Sequence, residues 1–186
     1  MEDRTAISRL RQGDLHGLEI LVNRYQARAV HAAYMIVWDR FLAEDIAQAA
    51  FIKTAEKIEQ FDDQRPFAPW FFRIVVHEAI KAAKRQKRSV PFNEDALRFA
   101  DRLIQPSQRP YELVEQKETR EVLRNAIQSL APEQRAVVVM RYFLEMSEAE
   151  MSLEMQRPLS TVKWWLREAR KRLRGLIGPI GGVEHE

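Results

Sequence analysis

Residues 89–112 read "SVPFNEDALRFADRLIQPSQRPYE", with three prolines and irregular apolar spacing, while the chain on both sides is periodic at three- and four-residue steps. Proline removes a backbone donor and keeps the residue before it out of the helical region. The expectation is an all-α chain of two small helical domains, at 1–88 and 113–178, joined by a flexible linker at 89–112 and followed by a tail at 179–186. The linker, with at most a helical turn around "DALRFADRL", carries too little periodic apolar surface to fuse the lobes, so they are expected to be independent units. In the first lobe Leu18, Leu21, Val22, Tyr25, Ala29, Ala32 and Ala33 make one inward stripe, with Asp14 as N-cap. Ile46, Ala47, Ala50, Phe51, Ile58 and Phe61 make a second. A third helix follows the loop "DDQRP", with Pro66 in its first turn. In the second lobe Pro132 opens a helix, Ser147 with Glu150 forms a capping box, and Ser160 is the expected N-cap of the last helix.

Composition removes several chemistries. Hydrophobic residues make up 46% of the 186, enough for a packed core. The chain has no cysteine, which excludes disulfides and any Cys-ligated zinc or iron–sulfur site. His16, His31, His77 and His185 show no metal-ligand spacing, and "HEAIK" at 77–81 lacks the second histidine of a zinc-protease motif. There is no glycine-rich phosphate loop and no serine in a nucleophile-elbow context. The expectation is no cofactor, no metal and no enzymatic activity. No apolar run reaches membrane-spanning length, and the opening residues lack the order of a signal peptide, so a cytoplasmic location without membrane insertion is expected.

Net charge is only +3, yet the charges are segregated. "KAAKRQKR" at 81–88 holds five positive charges and no acid, and 163–174 holds Lys163, Arg167, Arg170, Lys171, Arg172 and Arg174 against Glu168. Such clustering fits a polyanionic partner, with solvated helix faces as the alternative. A short helix, a tight turn and a long basic helix make a helix-turn-helix in the second lobe. On a 3.6-residue wheel Val162, Leu166, Ala169 and Leu173 face the core, and Lys163, Arg167, Arg170 and Arg174 form a separate stripe. Trp165 lies at the core edge. Trp164 points away from the core, where its indole can meet a base edge in a major groove or dock on another protein surface. In the first lobe Arg73, His77, Lys81, Lys84 and Arg88 form a basic stripe on the third helix, with Phe67, Trp70, Phe71 and Ile74 at its start. Trp70 is either core or a stacking platform for single strands. Asp45 and Gln48, three apart, share an exposed face.

"LEILVNRYQ", "AEDIAQAAFIKTAEKIEQF" and "FAPWFFRIVVHEAI" in the first lobe, with "LAPEQRAVVVMRYF", "MSEAEM" and "PLSTVKWWLREARKRLR" in the second, resemble bacterial sigma-70 factors of the extracytoplasmic-function group. Six blocks in order are specific where one helix-turn-helix is not. The resemblance implies a region 2 and a region 4 that bind core RNA polymerase, at the β′ clamp helices and the β flap, and direct it to promoter DNA. It implies control by an anti-sigma factor. It places Asp45, Gln48 and Lys53 at the polymerase. Phe61, Asp63, Arg65, Trp70, Arg73, His77 and Lys81 fall at the minus-ten element, whose flipped base the family receives in the loop Phe61–Arg65. Ser160, Thr161, Lys163, Trp164, Arg167, Arg170 and Lys171 fall at the minus-thirty-five element. The chain departs from the family pattern at Ala49 and Ala55, where an acid and a tryptophan are common. It departs again at Glu154, where an apolar residue is usual, at Gln156 in place of the turn glycine, and at Trp164, Trp165 and Glu168 in the last helix. The departures at Ala49, Ala55 and Trp164 keep open the alternative of a sigma-like decoy that holds an anti-sigma factor without initiating transcription.

Overall fold

The computed structural model describes residues 3–86 and 124–177; the linker, the tail and Arg88 lie outside them. Every regular element among the described residues is helical. The first lobe holds α1 (Asp3–Arg11), α2 (His16–Val37), α3 (Arg40–Lys57), a 3₁₀ turn (Ile58–Gln60) and α4 (Phe67–Gln86). The second holds a short α5 (124–128), α6 (Pro132–Val138) running into a π-turn (Val139–Phe143), α7 (Glu148–Met155) and α8 (Leu159–Ile177).

Local signals set most of the boundaries. Asp14 is not the cap of α2, which follows Leu15; its side chain accepts from the His16 amide at 2.9 Å in the turn just before the helix. Trp38 ends that helix in the left-handed region at φ 58°, its N–H donating to the Tyr34 carbonyl. Asp39 then caps α3, accepting from the Leu42 amide at 3.0 Å. Ser147 and Glu150 make the expected reciprocal capping box on α7. Ser160, in contrast, is not the cap of α8. The helix starts at Leu159, two residues before the Thr161 that a Ser160 cap would imply, and the Pro158 carbonyl accepts from the Thr161 and Val162 amides. Proline holds φ near the helical value, so it starts the turn before a serine is needed.

α1 crosses α2 at Gly17. A Cβ there would stand 2.3 Å from the Ala6 carbonyl oxygen and 2.7 Å from the Leu10 nitrogen, both backbone atoms. Alanine normally favours a helix interior over glycine, but here it must push two helices apart. Gly17→Ala is therefore expected to destabilise the protein by about 1–3 kcal/mol; a chemical-denaturation midpoint at or above wild type would show that α1 does not pack as described.

Behind that crossing lies an aromatic core. Phe71 is fully buried, with ring centroids at 4.6 Å from Phe51, 5.3 Å from Phe72, 5.7 Å from Tyr25 and 5.9 Å from Phe67. The Tyr25 hydroxyl donates to Asp3 at 2.6 Å, and burial followed by that carboxylate raises its pKa. The apolar residues assigned inward on α3 are all buried.

The two lobes are in contact. Val137, Met140 and Met151 of the second lobe belong to one contiguous apolar cluster with Tyr34 and Val76 of the first. α6 buries residues on more sides than its own lobe can cover, so the surplus packs on α2 and α4. His31 of α2 lies tilted against Phe143 with ring centroids 4.6 Å apart, and Lys84 of α4 pairs with Glu133 of α6.

Candidate nucleic-acid interface

α7 and α8 pack as a helix-turn-helix. The turn residue Gln156 takes the left-handed conformation (φ 52°, ψ 46°) that glycine would adopt more cheaply. It is held by the Gln156 and Arg157 amides donating to the Leu153 and Ser152 carbonyls, and by the Ser152 hydroxyl on the Arg157 carbonyl at 2.6 Å. Val162, Leu166 and Ala169 are buried, which fixes the rotation of α8. The opposite face therefore shows Ser160, Lys163, Trp164, Arg167, Arg170 and Lys171 to solvent, with Thr161 half-buried beside them.

Trp164 is 48% exposed, while Trp165 packs half-buried on the core. The division of labour read from the helical wheel is thus the one the structure has. Two of the cations are already engaged. Arg170 donates to the Tyr142 hydroxyl at 2.9 Å, and Lys163 lies 4.0 Å from Glu148. Both contacts are exposed and weak enough to exchange for phosphate.

The first-lobe candidates divide differently. Phe61 and Trp70 are each only 5% exposed, with ring centroids 5.2 Å apart inside the core. In this arrangement both rings belong to the aromatic core of the first lobe. Phe61 and Trp70 lie where the loop turns into α4, and the aromatic cluster claims them. Arg11 of α1 holds that loop, donating to the Phe61 carbonyl and pairing with Asp63 at 2.5 Å. Along α4, Arg73 and His77 are half-buried against the second lobe, and Lys81 is exposed with Glu78 at 3.1 Å. Arg65 and Arg73 both turn to Glu154 of α7.

Asp45 and Gln48 are exposed on α3 as expected. Lys53 reaches across to Glu78 of α4 at 2.7 Å, so it ties two helices of the lobe together. That carboxyl is held below its ordinary pKa, its burial outweighed by hydrogen bonds from Lys53 and Lys81. Two residues missed from sequence complete the α3 surface. Phe41 is 77% exposed and Ile52 60% exposed. With Asp45 and Gln48 they follow i, i+4, i+7, i+11, which is one stripe of a helix. The signal was present as two large apolar residues outside the inward set.

Burial lowers the pKa of His31, and burial with Arg73, Lys81 and Arg157, opposed by Glu78, lowers that of His77. Both rings sit where the lobes meet. A histidine with a depressed folded-state pKa stabilises the folded form fully above its unfolded value of about 6.5 and progressively less as pH falls below it. The melting temperature should therefore drop as pH falls below about 6.5, and His31→Asn with His77→Gln should flatten that fall. An unchanged slope in the double variant would place the acid sensitivity elsewhere.

Comparison with known proteins agrees with this architecture. Residues 21–89 match the model for Sigma-70 region 2, and residues 120–173 that for Sigma-70, region 4. The RNA polymerase sigma-H factor of Pseudomonas aeruginosa is 26% identical over 96% of this chain and 95% of its own length. The ECF RNA polymerase sigma factor SigW of Bacillus subtilis is 26% identical over 90% of this chain and 92% of its own. The ECF RNA polymerase sigma-E factor of Escherichia coli is 25% identical over 97% and 96%. Among solved structures, CnrH in complex with the cytosolic domain of CnrY superposes with a TM-score of 0.66 at 20% identity, covering 96% of this chain and 99% of that one. The sigma factor RpoE in complex with the anti-sigma factor NepR from Bartonella quintana gives 0.64 at 18%, covering 88% and 98%. With both conserved regions matched in order and relatives aligned nearly end to end, the chain belongs to the sigma-70 family of RNA polymerase sigma factors, in its extracytoplasmic-function group.

Proposed function

We propose that this chain is a promoter-specificity subunit that binds core RNA polymerase and directs DNA-dependent transcription initiation in the cytoplasm. The observation that carries the reading is the exposed face of α8, where Trp164 stands among Lys163, Arg167 and Lys171 on a helix whose rotation the core fixes. Cations at that spacing hold phosphates and set register, and a side chain with one donor and a broad apolar face reads a base edge. This face is the minus-thirty-five surface. The α4 stripe of Arg73, His77 and Lys81, with Arg65 beside it, serves the minus-ten strand. On α3, Phe41, Asp45, Gln48 and Ile52 form the docking stripe for the β′ clamp helices, and region 4 meets the β flap.

Control by an anti-sigma factor accompanies this reading, because one structural neighbour named above is a sigma factor in complex with an anti-sigma factor, and the other is likewise a complex, with the cytosolic domain of CnrY. No helix among the described residues is long and apolar enough to cross a membrane, so the chain would meet any membrane-borne regulator from solution. Run-off transcription tests the reading. Core polymerase with this chain should yield a discrete transcript that core alone does not, and promoter output equal to core alone would favour the decoy.

A further inference from the structure

Glu154 is 1% exposed, on the buried side of α7 beside Met151 and Met155. An isolated carboxylate in such a place is costly unless cations and hydrogen bonds compensate it. Its compensation comes from the other lobe. Arg65, in the loop before α4, donates to Oε1, and the Arg73 Nε on α4 stands 3.6 Å from Oε2. Oε2 makes no hydrogen bond of its own. A methionine or leucine would fill this position without any partner, so the acid is explained by the arginines and not by the packing of its own lobe.

A second acid repeats the pattern. Glu133 of α6 pairs with Lys84, three helical turns further along the same basic stripe of α4. The cations that would follow a sugar–phosphate backbone are thus met at both ends by carboxylates of the second lobe. Guanidinium forks bind carboxylate and phosphate with the same geometry.

We propose that Glu154 and Glu133 act as internal phosphate mimics: they close region 4 over the α4 stripe, so that single-stranded DNA and the second lobe compete for Arg65, Arg73 and Lys84. This rests on the reading of α4 as the minus-ten surface. Closure is self-limiting. A strand that takes the arginines strands Glu154 without a counter-ion, which drives the lobes apart. A lobe held away by polymerase leaves the arginines open for the strand.

The chain has no native cysteine, so a dye pair can be placed at will. Glu56→Cys on exposed α3 and Gly175→Cys on α8, where a Cβ meets nothing within 4 Å, report the distance between lobes by single-molecule energy transfer. Glu154→Leu and Glu154→Gln in the full chain should each raise the open fraction about tenfold, the effect of losing one charge-assisted contact. They should also raise affinity for a short fluorescein-labelled single strand of mixed sequence by a similar factor, with circular dichroism unchanged. Glu133→Gln should do the same more weakly. An unchanged lobe distance in both Glu154 variants would overturn the closure. Lobes that open with no gain in strand affinity would overturn the competition and, with it, the assignment of α4 to DNA. Variants that unfold instead of opening would show Glu154 to be a support of its own lobe, which also overturns the proposal.

Discussion

Replacing Phe41 and Ile52 together by aspartate is expected to lower affinity for core polymerase by about 100-fold or more while the fold survives. Large apolar side chains near the centre of an interface commonly account for about 2 kcal/mol or more each on truncation. An aspartate in the same place adds an unpaired charge to a desolvated surface. Both side chains point to solvent in the free chain, at 77% and 60% exposure, so their loss leaves no cavity. Asp45→Arg with Gln48→Ala, on the same stripe, should weaken binding less, because it alters charge and leaves both large apolar side chains in place. Pull-down with core polymerase beside circular dichroism separates the two outcomes. Undiminished pull-down for Phe41→Asp/Ile52→Asp would remove α3 from the docking surface.

The largest effect on stability is expected at Phe71. The side chain is fully buried and four aromatic rings lie within 6 Å of its centroid. Phe71→Ala removes a buried ring and leaves a cavity that rigid neighbours cannot fill, a loss of about 3–5 kcal/mol. Against a total stability of about 5–15 kcal/mol, that should populate the unfolded chain measurably at 37 °C. The fluorescence of Trp70, whose ring lies 5.8 Å from Phe67 in the same cluster, follows the transition. A shift under about 1 kcal/mol would mean the cluster repacks as no rigid core does.

The sequence made the helices legible because the apolar period is strong. The inward set of α3 and the core face of α8 follow directly from three- and four-residue spacing. Caps were legible where a side chain does the capping, as at Ser147, and misplaced by two where the backbone of Pro158 starts the helix instead. For Trp70 the sequence alone fits both core and stacking platform. Its type and its place beside a basic stripe fit either, and only the packing of Phe61 and Phe67 around it decides. The union of the lobes was not legible. It depends on α6 residues that fit a second partner, and on Glu154 meeting Arg65 across 89 residues of chain. Spacing on one helix shows that an acid stands where an apolar residue is usual, but not which arginine it answers.

The exposed face of α8 is expected to select promoters. Selection of DNA from a random library by core polymerase carrying this chain tests it most directly, run in parallel with Trp164→Ala and Arg167→Ala. The wild-type holoenzyme should enrich one two-part element. Trp164→Ala should relax preference at one upstream position by about 1–3 kcal/mol, and Arg167→Ala should weaken binding to all sequences alike. No enriched element, or the same base preferences from wild type and Trp164→Ala, would contradict it.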